Sequence, residues 1–213
     1  MLVLKDAKLV YLANPKTATQ SLRAALGPYA GATPQDTGNK HINASQYART
    51  WATRLANSHG APFQTFAVMR EPLEHLGSWH RYRQRDALKG HQNATHGIDF
   101  TTFIEAVISP DPPAFARIGR QARFLGCLTD GPPVSTIFDY AQLDLLLVFL
   151  NERLDARLKL PLRNVSPERA DGAFALPAAL MARLTAALRA EFDLYDRVAR
   201  AGVLKTDTPP SPP

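Results

Sequence analysis

Residues 9–22 constrain the fold most, because they run from an apolar strand through a Lys-Thr turn into a helix. The pattern predicts a strand over residues 8–13 and a helix over residues 17–26. Backbone N–H groups at a helix start lack intrahelical partners, and the helix dipole places partial positive charge there. We therefore expect an anion such as a phosphate to bind against residues 17–21, with Lys16 adding a full positive charge.

Strands and helices alternate along the rest of the chain. A second strand is predicted over residues 65–69, followed by a helix from residue 72 to about residue 88. Further elements are predicted as helices over 44–55, 100–108, 143–158 and 178–201, and as a third strand over 134–138. This alternation favours an α/β fold of three layers, with a central parallel sheet flanked by helices. A length of 213 residues with 45% hydrophobic content suits one domain, residues 1–204. The proline-rich residues 205–213 are expected to form a disordered tail.

The composition restricts partners and compartment. A net charge of +6 and a pI near 9.7 indicate an anionic partner. The single cysteine, Cys127, excludes an internal disulfide framework and a thiolate-rich metal site. Lys5 and Asp6 interrupt the first apolar residues, so we expect no signal peptide, no membrane partner and a cytoplasmic location.

The Lys-Thr turn is not a Walker A loop, because the glycines of GxxxxGK[ST] are missing and Pro15 precedes the lysine. Residues 15–22 read PKTATQSL, which resembles the PKT-x-x-x-SL signature of sulfotransferases. In that family the loop holds the 5′-phosphosulfate of the donor PAPS, 3′-phosphoadenosine-5′-phosphosulfate. Thr19 and Gln20 stand where Gly or Ser and Thr are frequent, which predicts weaker donor binding. For this segment alone, the alternative is a proline-capped helix with an exposed lysine.

A second segment carries the same resemblance. Residues 66–79 read FAVMREPLEHLGSW and resemble the family's 3′-phosphate motif, F-V-R-[DN]-P-x-x-R-L-x-S, which places Arg70 and Ser78 on the 3′-phosphate. Arg70 is predicted at the carboxyl end of a strand, where ligands of open α/β sheets bind. Its planar guanidinium can form two parallel bonds to phosphate oxygens. The alternative is an arginine that pairs with Glu71 or Glu74 on a solvated face, but two motifs in the right order favour the resemblance.

Later segments extend the resemblance over roughly residues 8 to 200. Residues 120–125 resemble the family's P-Q-x-x-F-L block, and residues 137–143 resemble its strand before R-F-E-x-L. Residues 162–166 resemble its L-x-x-x-N-x-S loop, and residues 189–195 resemble its closing D-F-x-L-[YF] helix. The resemblance implies a P-loop NTPase-like fold. It also implies a donor site formed by Lys16, Thr17, Ala18, Thr19, Gln20, Ser21, Arg70, Ser78, Arg163 and Ser166. Candidates for lining the acceptor or nucleotide pocket are Arg120, Arg123 and Arg163.

The family's reaction transfers a sulfuryl group from PAPS to a hydroxyl or amine of a small molecule or glycan and releases PAP, adenosine 3′,5′-bisphosphate. Lys16 is the candidate for stabilising charge on the 5′-phosphate of PAP as it leaves, and no metal is required. Residues 40–45 resemble the family's K-H-x-x-A segment, which implies His41 as the general base. An exposed loop histidine is the alternative reading of His41, and His80 is the next candidate base. His75 is expected to support a phosphate or a carboxylate.

Two other classes of function remain open. The basic run 80–85, with Trp79 and Tyr82 interleaved, could bind phosphates and stack bases in a noncatalytic nucleotide-binding or nucleic-acid-binding protein of the same fold. Because this run continues the helix that begins at Pro72, we favour a basic helix face at the mouth of the donor cleft over a nucleic-acid partner. A kinase-like nucleotide-binding enzyme would need Mg²⁺ and an acidic ligand, for which Asp139 is the candidate at a strand end.

Overall fold

The computed structural model describes residues 1–31, 41–129, 131–160 and 174–206. In these residues five strands form one sheet in chain order, β1 to β5. The strands are β1 Leu2–Leu4, β2 Leu9–Tyr11, β3 Gln64–Met69, β4 Thr136–Asp139 and β5 Val203–Lys205. β2, β3 and β4 are parallel, whereas β1 and β5 pair antiparallel at the two edges. The fold is α/β as predicted, but the sheet is mixed, and the expectation of a parallel sheet is wrong at its edges.

Helices connect the strands and cover the sheet. They are α1 Thr19–Leu26, α2 Ala44–Tyr47, α3 Thr53–His59, α4 Pro72–Arg83, α5 Phe100–Val107, α6 Gln121–Phe124, α7 Leu143–Leu154, α8 Ala178–Ala187 and α9 Arg189–Ala201. A π-helical segment, Ala48–Ala52, joins α2 to α3. Within the described ranges, no helix combines the length and the apolar character that crossing a membrane requires.

Side chains alternate between the two faces of the sheet, as the period of a strand requires. On one face Val10, Ala67 and Ile137 pack with Leu194 and Val198 of α9. On the other face, the residues that pack with α1 and α7 are Leu9, Tyr11, Phe66, Val68 and Phe138. The sheet is therefore the middle of three layers. A separate apolar cluster, which includes Leu76, Phe103 and Leu184, joins α4, α5 and α8.

The structure corrects several predicted boundaries. α1 begins at Thr19 because Ala18 adopts the left-handed conformation, with φ 56°. The predicted helix over 178–201 is divided at Leu188, whose backbone, with φ −113° and ψ 25°, leaves the helical region. β5 includes Lys205, so the last strand extends into the predicted tail, whose residues 207–213 lie outside the described residues.

The register of the central strands places their carboxyl ends together. Tyr11 at the end of β2 pairs with Phe66 of β3, and Met69 at the end of β3 pairs with Asp139 of β4. The Leu12 backbone N–H donates to the carbonyl oxygen of Phe66 at 2.9 Å and continues this pairing beyond β2. The segments that follow β2, β3 and β4 therefore leave the sheet at the same edge, the position at which open α/β sheets bind ligands.

Candidate functional site

The loop between β2 and α1, residues 12–18, is called the donor loop below, after the role that the sequence predicts for it. Its backbone is unusual because Lys16 and Ala18, neither of them glycine, have φ angles of 67° and 56°. The buried Thr17 hydroxyl lies between them and donates to the carbonyl oxygen of Asn14 at 2.8 Å. A left-handed residue that carries a Cβ costs about 1–3 kcal/mol and is typical of ligand-binding turns.

Lys16 lies against the aromatic residues of α4. Its Nζ is 4.7 Å from the centre of the Trp79 ring and 3.0 Å from the centre of the Tyr82 ring. The side chain is half-buried, so its charge faces aromatic rings as well as the surface. The structure thus places the lysine of the first motif beside the helix that follows the second motif.

Arg70 is only 7% exposed at the end of β3. Its guanidinium lies 4.5 Å from the centre of the Tyr140 ring, and its Nε and Nη2 are each 3.4 Å from Oε2 of Glu74. The pairing with Glu74 that the sequence offered as an alternative is therefore present, although at a buried position. Among the described residues Nη1 contacts no acceptor. The half-buried Ser78 follows one turn after Glu74 on the same face of α4.

A buried amide network fixes Arg70 relative to the donor loop. Asn14 Nδ2 donates to the Val68 carbonyl oxygen at 2.9 Å and to Gln121 Oε1 at 3.0 Å. Gln121 Oε1 also accepts from the backbone N–H of Arg70 at 3.0 Å, and its Nε2 donates to the Arg70 carbonyl oxygen at 2.8 Å. Gln121 thus connects the ends of β2 and β3 through buried hydrogen bonds.

Glu191 of α9 holds the backbone around Gln121 in place. Its Oε2 accepts from the Gln121 N–H at 3.1 Å, and its Oε1 accepts from the Ala122 N–H at 2.8 Å. The side chain is 5% exposed, and burial raises the pKa of its carboxyl group, an effect that the two backbone bonds and Arg120 oppose. α9 therefore positions α6, which in turn positions Gln121.

His75 interacts electrostatically with three cationic residues, Arg70, Lys16 and Arg120. Its Nε2 donates to the Pro15 carbonyl oxygen at 3.1 Å, so it supports the backbone of the donor loop. Burial, the largest cause, and the positive charges of Arg70, Lys16 and Arg120 together lower the pKa of His75 to about 3, while the bond to Pro15 opposes them. The imidazole is therefore neutral at physiological pH. The three cations that act on His75 are of the charge that an anion bound nearby would need.

His41 contacts the end of β2. Its Nδ1 is 2.7 Å from the carbonyl oxygen of Ala13, three residues before Lys16. Because a carbonyl oxygen only accepts, Nδ1 carries the proton, and a neutral His41 has its lone pair on Nε2. The exposed ring has the tautomer that a general base requires.

The second candidate base, His80, lies in apolar surroundings. It is 6% exposed, its Nε2 donates to the Ile98 carbonyl oxygen at 2.8 Å, and its ring packs against Phe100 and Phe103. Burial lowers the pKa of His80, and the Ile98 bond opposes this effect. These contacts give His80 a role in packing α4 on α5.

A cleft with a volume of about 180 Å³ opens beside the donor loop. The residues that line it come from the donor loop, the segment after His41, α4 and the start of α6, and they are Asn14, Pro15, Asn43, His75, Trp79, Gly119, Arg120, Arg123 and Phe124. Two of the three arginines proposed from the sequence for a pocket therefore line one, and the third, Arg163, lies outside the described residues.

The remaining predicted donor-site residues differ in exposure. Thr17, Thr19 and Ser21 are buried, whereas Gln20 is exposed and Ala18 is half-buried. A phosphate at this turn would therefore meet mainly the backbone N–H groups of the loop. The predicted Ser166 lies outside the described residues.

Asp139, the acid that a kinase-like enzyme would use, has structural partners. Its Oδ1 accepts from the Ala141 N–H at 3.0 Å and from the Tyr195 hydroxyl at 3.2 Å. Its Oδ2 accepts from Gln142 Nε2 at 3.3 Å. Within the part of the chain that the structure describes, no three His, Cys, Asp or Glu side chains cluster in a way that could hold a metal ion.

Sequence reasoning assigned no role to Asn14 or Glu191. A polar residue directly after a fully apolar strand was a usable signal for Asn14. Glu191 gave no such signal, because an acidic residue in an amphipathic helix ordinarily lies on the exposed face.

Comparison of the chain with family models, with curated proteins and with solved structures finds no match.

Proposed function

We propose that this protein is a PAPS-dependent sulfotransferase with a P-loop NTPase-like fold, which transfers a sulfuryl group to a hydroxyl or amine of a small molecule or glycan. The observation that carries the proposal is the convergence at one sheet edge. The loop that bears Lys16 follows β2, Arg70 directly follows the adjacent β3, and His41 contacts the Ala13 carbonyl between β2 and Lys16.

The charge distribution supports a donor with an anionic group at each end. The lowered pKa of His75 reflects burial first and then three nearby cations, two of which are Lys16 and Arg70. Lys16 and the donor-loop N–H groups suit the 5′-phosphosulfate, whereas Arg70 and Ser78 suit the 3′-phosphate. The 3′-phosphate would accept a hydrogen bond from Arg70 Nη1, or it would displace the Glu74 carboxylate from Arg70 Nε and Nη2.

His41 and Lys16 have complementary tasks in this reaction. PAPS supplies the sulfuryl group: the bond from the acceptor oxygen to sulfur forms as the bond from sulfur to the 5′-phosphate oxygen breaks, and that oxygen keeps the electron pair. His41 accepts the acceptor's proton at Nε2, and the Ala13 carbonyl stabilises the resulting imidazolium through Nδ1–H. Lys16 compensates the negative charge that develops on PAP, an effect worth several kcal/mol in a site with little water.

The alternative functions have less support. The Asp139 carboxylate accepts three hydrogen bonds, from the Ala141 N–H, Gln142 Nε2 and the Tyr195 hydroxyl, which give it a structural role and disfavour its use as the Mg²⁺ ligand of a kinase. In the basic run, Arg83 is buried and donates to the carbonyl oxygens of Ala114, Phe115 and Arg117. Nucleic-acid binding is disfavoured because this arginine is used within the fold.

Calorimetry with three ligands separates the classes. PAP, ATP and a short single-stranded oligonucleotide are titrated into the protein with and without Mg²⁺. We expect PAP to bind more tightly than the other two and with an affinity that does not depend on Mg²⁺. Binding of ATP only with Mg²⁺ would support a kinase, and preferential binding of the oligonucleotide would support a nucleic-acid-binding protein.

The His41→Ala variant tests the assignment of the base. PAP affinity should stay unchanged, while turnover of ³⁵S-labelled PAPS with a hydroxylated acceptor should fall by about 10²–10⁴-fold. His96→Ala, which removes an exposed loop histidine, is the matched control and should keep wild-type turnover. Full activity of His41→Ala would exclude His41 as the base.

A further inference from the structure

The cleft beside the donor loop has the volume of a single substituted ring. Its volume of about 180 Å³ slightly exceeds the roughly 150 Å³ cavity that holds one benzene molecule in an engineered protein core. Pro15, Trp79 and Phe124 supply apolar and aromatic walls. Flat walls of this kind favour a planar ring, which gains contact area at low entropic cost.

The charged residues that line the cleft are both cationic. Arg120 and Arg123 both line it, and among the described residues neither forms an ion pair with a carboxylate. Arg120 is half-buried, and burial lowers the pKa of its guanidinium, while Glu191 opposes that effect. The Glu191 oxygens accept from the backbone N–H groups of Gln121 and Ala122. A half-buried guanidinium in this position is stabilised by an anion that enters the cleft.

The location of the cleft fits the second substrate. Pro15 directly precedes Lys16, and Asn43 follows two residues after His41. A ring in the cleft is therefore bordered by sequence neighbours of Lys16 and His41, and its hydroxyl extends beyond the lining residues to reach His41. The buried His75 in the cleft wall donates through Nε2 to Pro15, so its neutral ring can accept a hydrogen bond only at Nδ1.

We propose that this cleft is the acceptor site and takes a single aromatic ring that carries a hydroxyl and a carboxylate, with Arg120 and Arg123 binding the carboxylate. The assignment as acceptor site rests on the proposed function. The ring hydroxyl loses its proton to His41 and forms the new bond to sulfur, which gives an aryl sulfate and PAP. The carboxylate stays bound at the arginines and takes no part in bond making.

The test compares two probes of nearly equal size, 4-hydroxybenzoate and 4-hydroxybenzyl alcohol, by calorimetry on protein saturated with PAP. We expect the carboxylate to bind at least about tenfold more tightly, as for a charge-assisted hydrogen bond. Arg120→Gln should remove most of this preference and Arg120→Lys should restore part of it. Arg117→Gln, at an exposed arginine that pairs with Asp111, should keep the full preference. Unchanged affinity for the alcohol shows that each variant is folded.

The outcomes separate this inference from the proposed function. The inference is overturned if the two probes bind with equal affinity, or if the preference for the carboxylate survives both Arg120→Gln and Arg123→Gln. Binding of PAP in the same experiments would still support the proposed function. Competition between PAP and 4-hydroxybenzoate also overturns it, because the cleft would then belong to the donor site. If PAP does not bind but Arg120→Gln still removes the carboxylate preference, anion recognition by the cleft is supported and the sulfotransferase function is rejected.

Discussion

Lys16 and Ala18 give the donor loop a conformation that glycine usually adopts in phosphate-binding turns. The loop is held by the Thr17 hydroxyl on the Asn14 carbonyl and by His75 on the Pro15 carbonyl. The sequence predicted the position of this loop but not the two left-handed residues. It noted a difference from the sulfotransferase signature that this segment resembles only at Thr19 and Gln20, and neither residue has a positive φ angle.

Ala18→Gly should stabilise the folded protein. Removing the Cβ relieves the left-handed residue, and after the extra chain entropy of glycine in the unfolded state we expect a gain of about 0.5–1 kcal/mol in the free energy of unfolding. Ala24→Gly, at an exposed position inside α1, should lose about 1 kcal/mol. Urea denaturation measures both. A loss of stability in both variants would contradict the strain assigned to Ala18.

His75 should make stability depend on pH. The pKa of His75 is lowered by burial to about 3 in the folded protein, whereas an unfolded histidine titrates near 6.5. Between these values the unfolded state binds more protons, so stability falls as pH falls, by up to about 1.4 kcal/mol for each pH unit. Urea denaturation at pH 7, 6 and 5 should show a smaller loss for His75→Gln, which keeps an amide donor but does not titrate. Parallel pH profiles would contradict the burial of a neutral imidazole.

At the scale of elements, the arrangement of the site follows from two adjacent parallel strands and the side chains that bridge them. β2 and β3 were predicted because each is an apolar run before a turn and a helix. The short edge strands β1 and β5 were missed, because three residues are too few for a periodic pattern. The bridge through Gln121 was also not predicted, since Gln121 lies 107 positions from Asn14 and 51 positions from Arg70 in the sequence.

Gln121→Leu should destabilise the sheet edge. The leucine keeps much of the volume but leaves Asn14 Nδ2 with one acceptor fewer and removes the partners of the Arg70 N–H and carbonyl oxygen. Each buried polar group left unpaired costs about 1–3 kcal/mol, so we expect a loss of about 3 kcal/mol or more. The free energy of unfolding and PAP affinity should both fall. Gln92→Leu, at an exposed loop position, is the control, and an equal effect there would contradict the bridging role of Gln121.

For the whole molecule, the alternation of strands and helices predicted the α/β class and the layers of helices on both faces of the sheet, and the structure confirms both. Which cations converge was predictable only through the order of the strands, since Lys16 and Arg70 lie 54 positions apart in the sequence. The sequence offered the pairing of Arg70 with Glu74 only as an alternative to phosphate binding, and it did not predict the contact of Lys16 with aromatic rings. Charge patterns do not specify which neighbour a side chain contacts.

The central claim is that Lys16 and Arg70 bind opposite ends of one nucleotide. Calorimetry with adenosine 5′-phosphate, adenosine 3′-phosphate and PAP tests it on the wild type, Lys16→Gln and Arg70→Gln. Lys205→Gln is the control, since Lys205 pairs with Thr136 at the start of β4, whereas the site lies at the carboxyl ends of the parallel strands.

We predict that Lys16→Gln weakens adenosine 5′-phosphate and PAP but not adenosine 3′-phosphate, and that Arg70→Gln weakens adenosine 3′-phosphate and PAP but not adenosine 5′-phosphate. Each loss should be at least about tenfold, as expected for a hydrogen bond to a charged group. Equal losses for all three nucleotides in either variant, or unchanged PAP affinity in both, would contradict the claim.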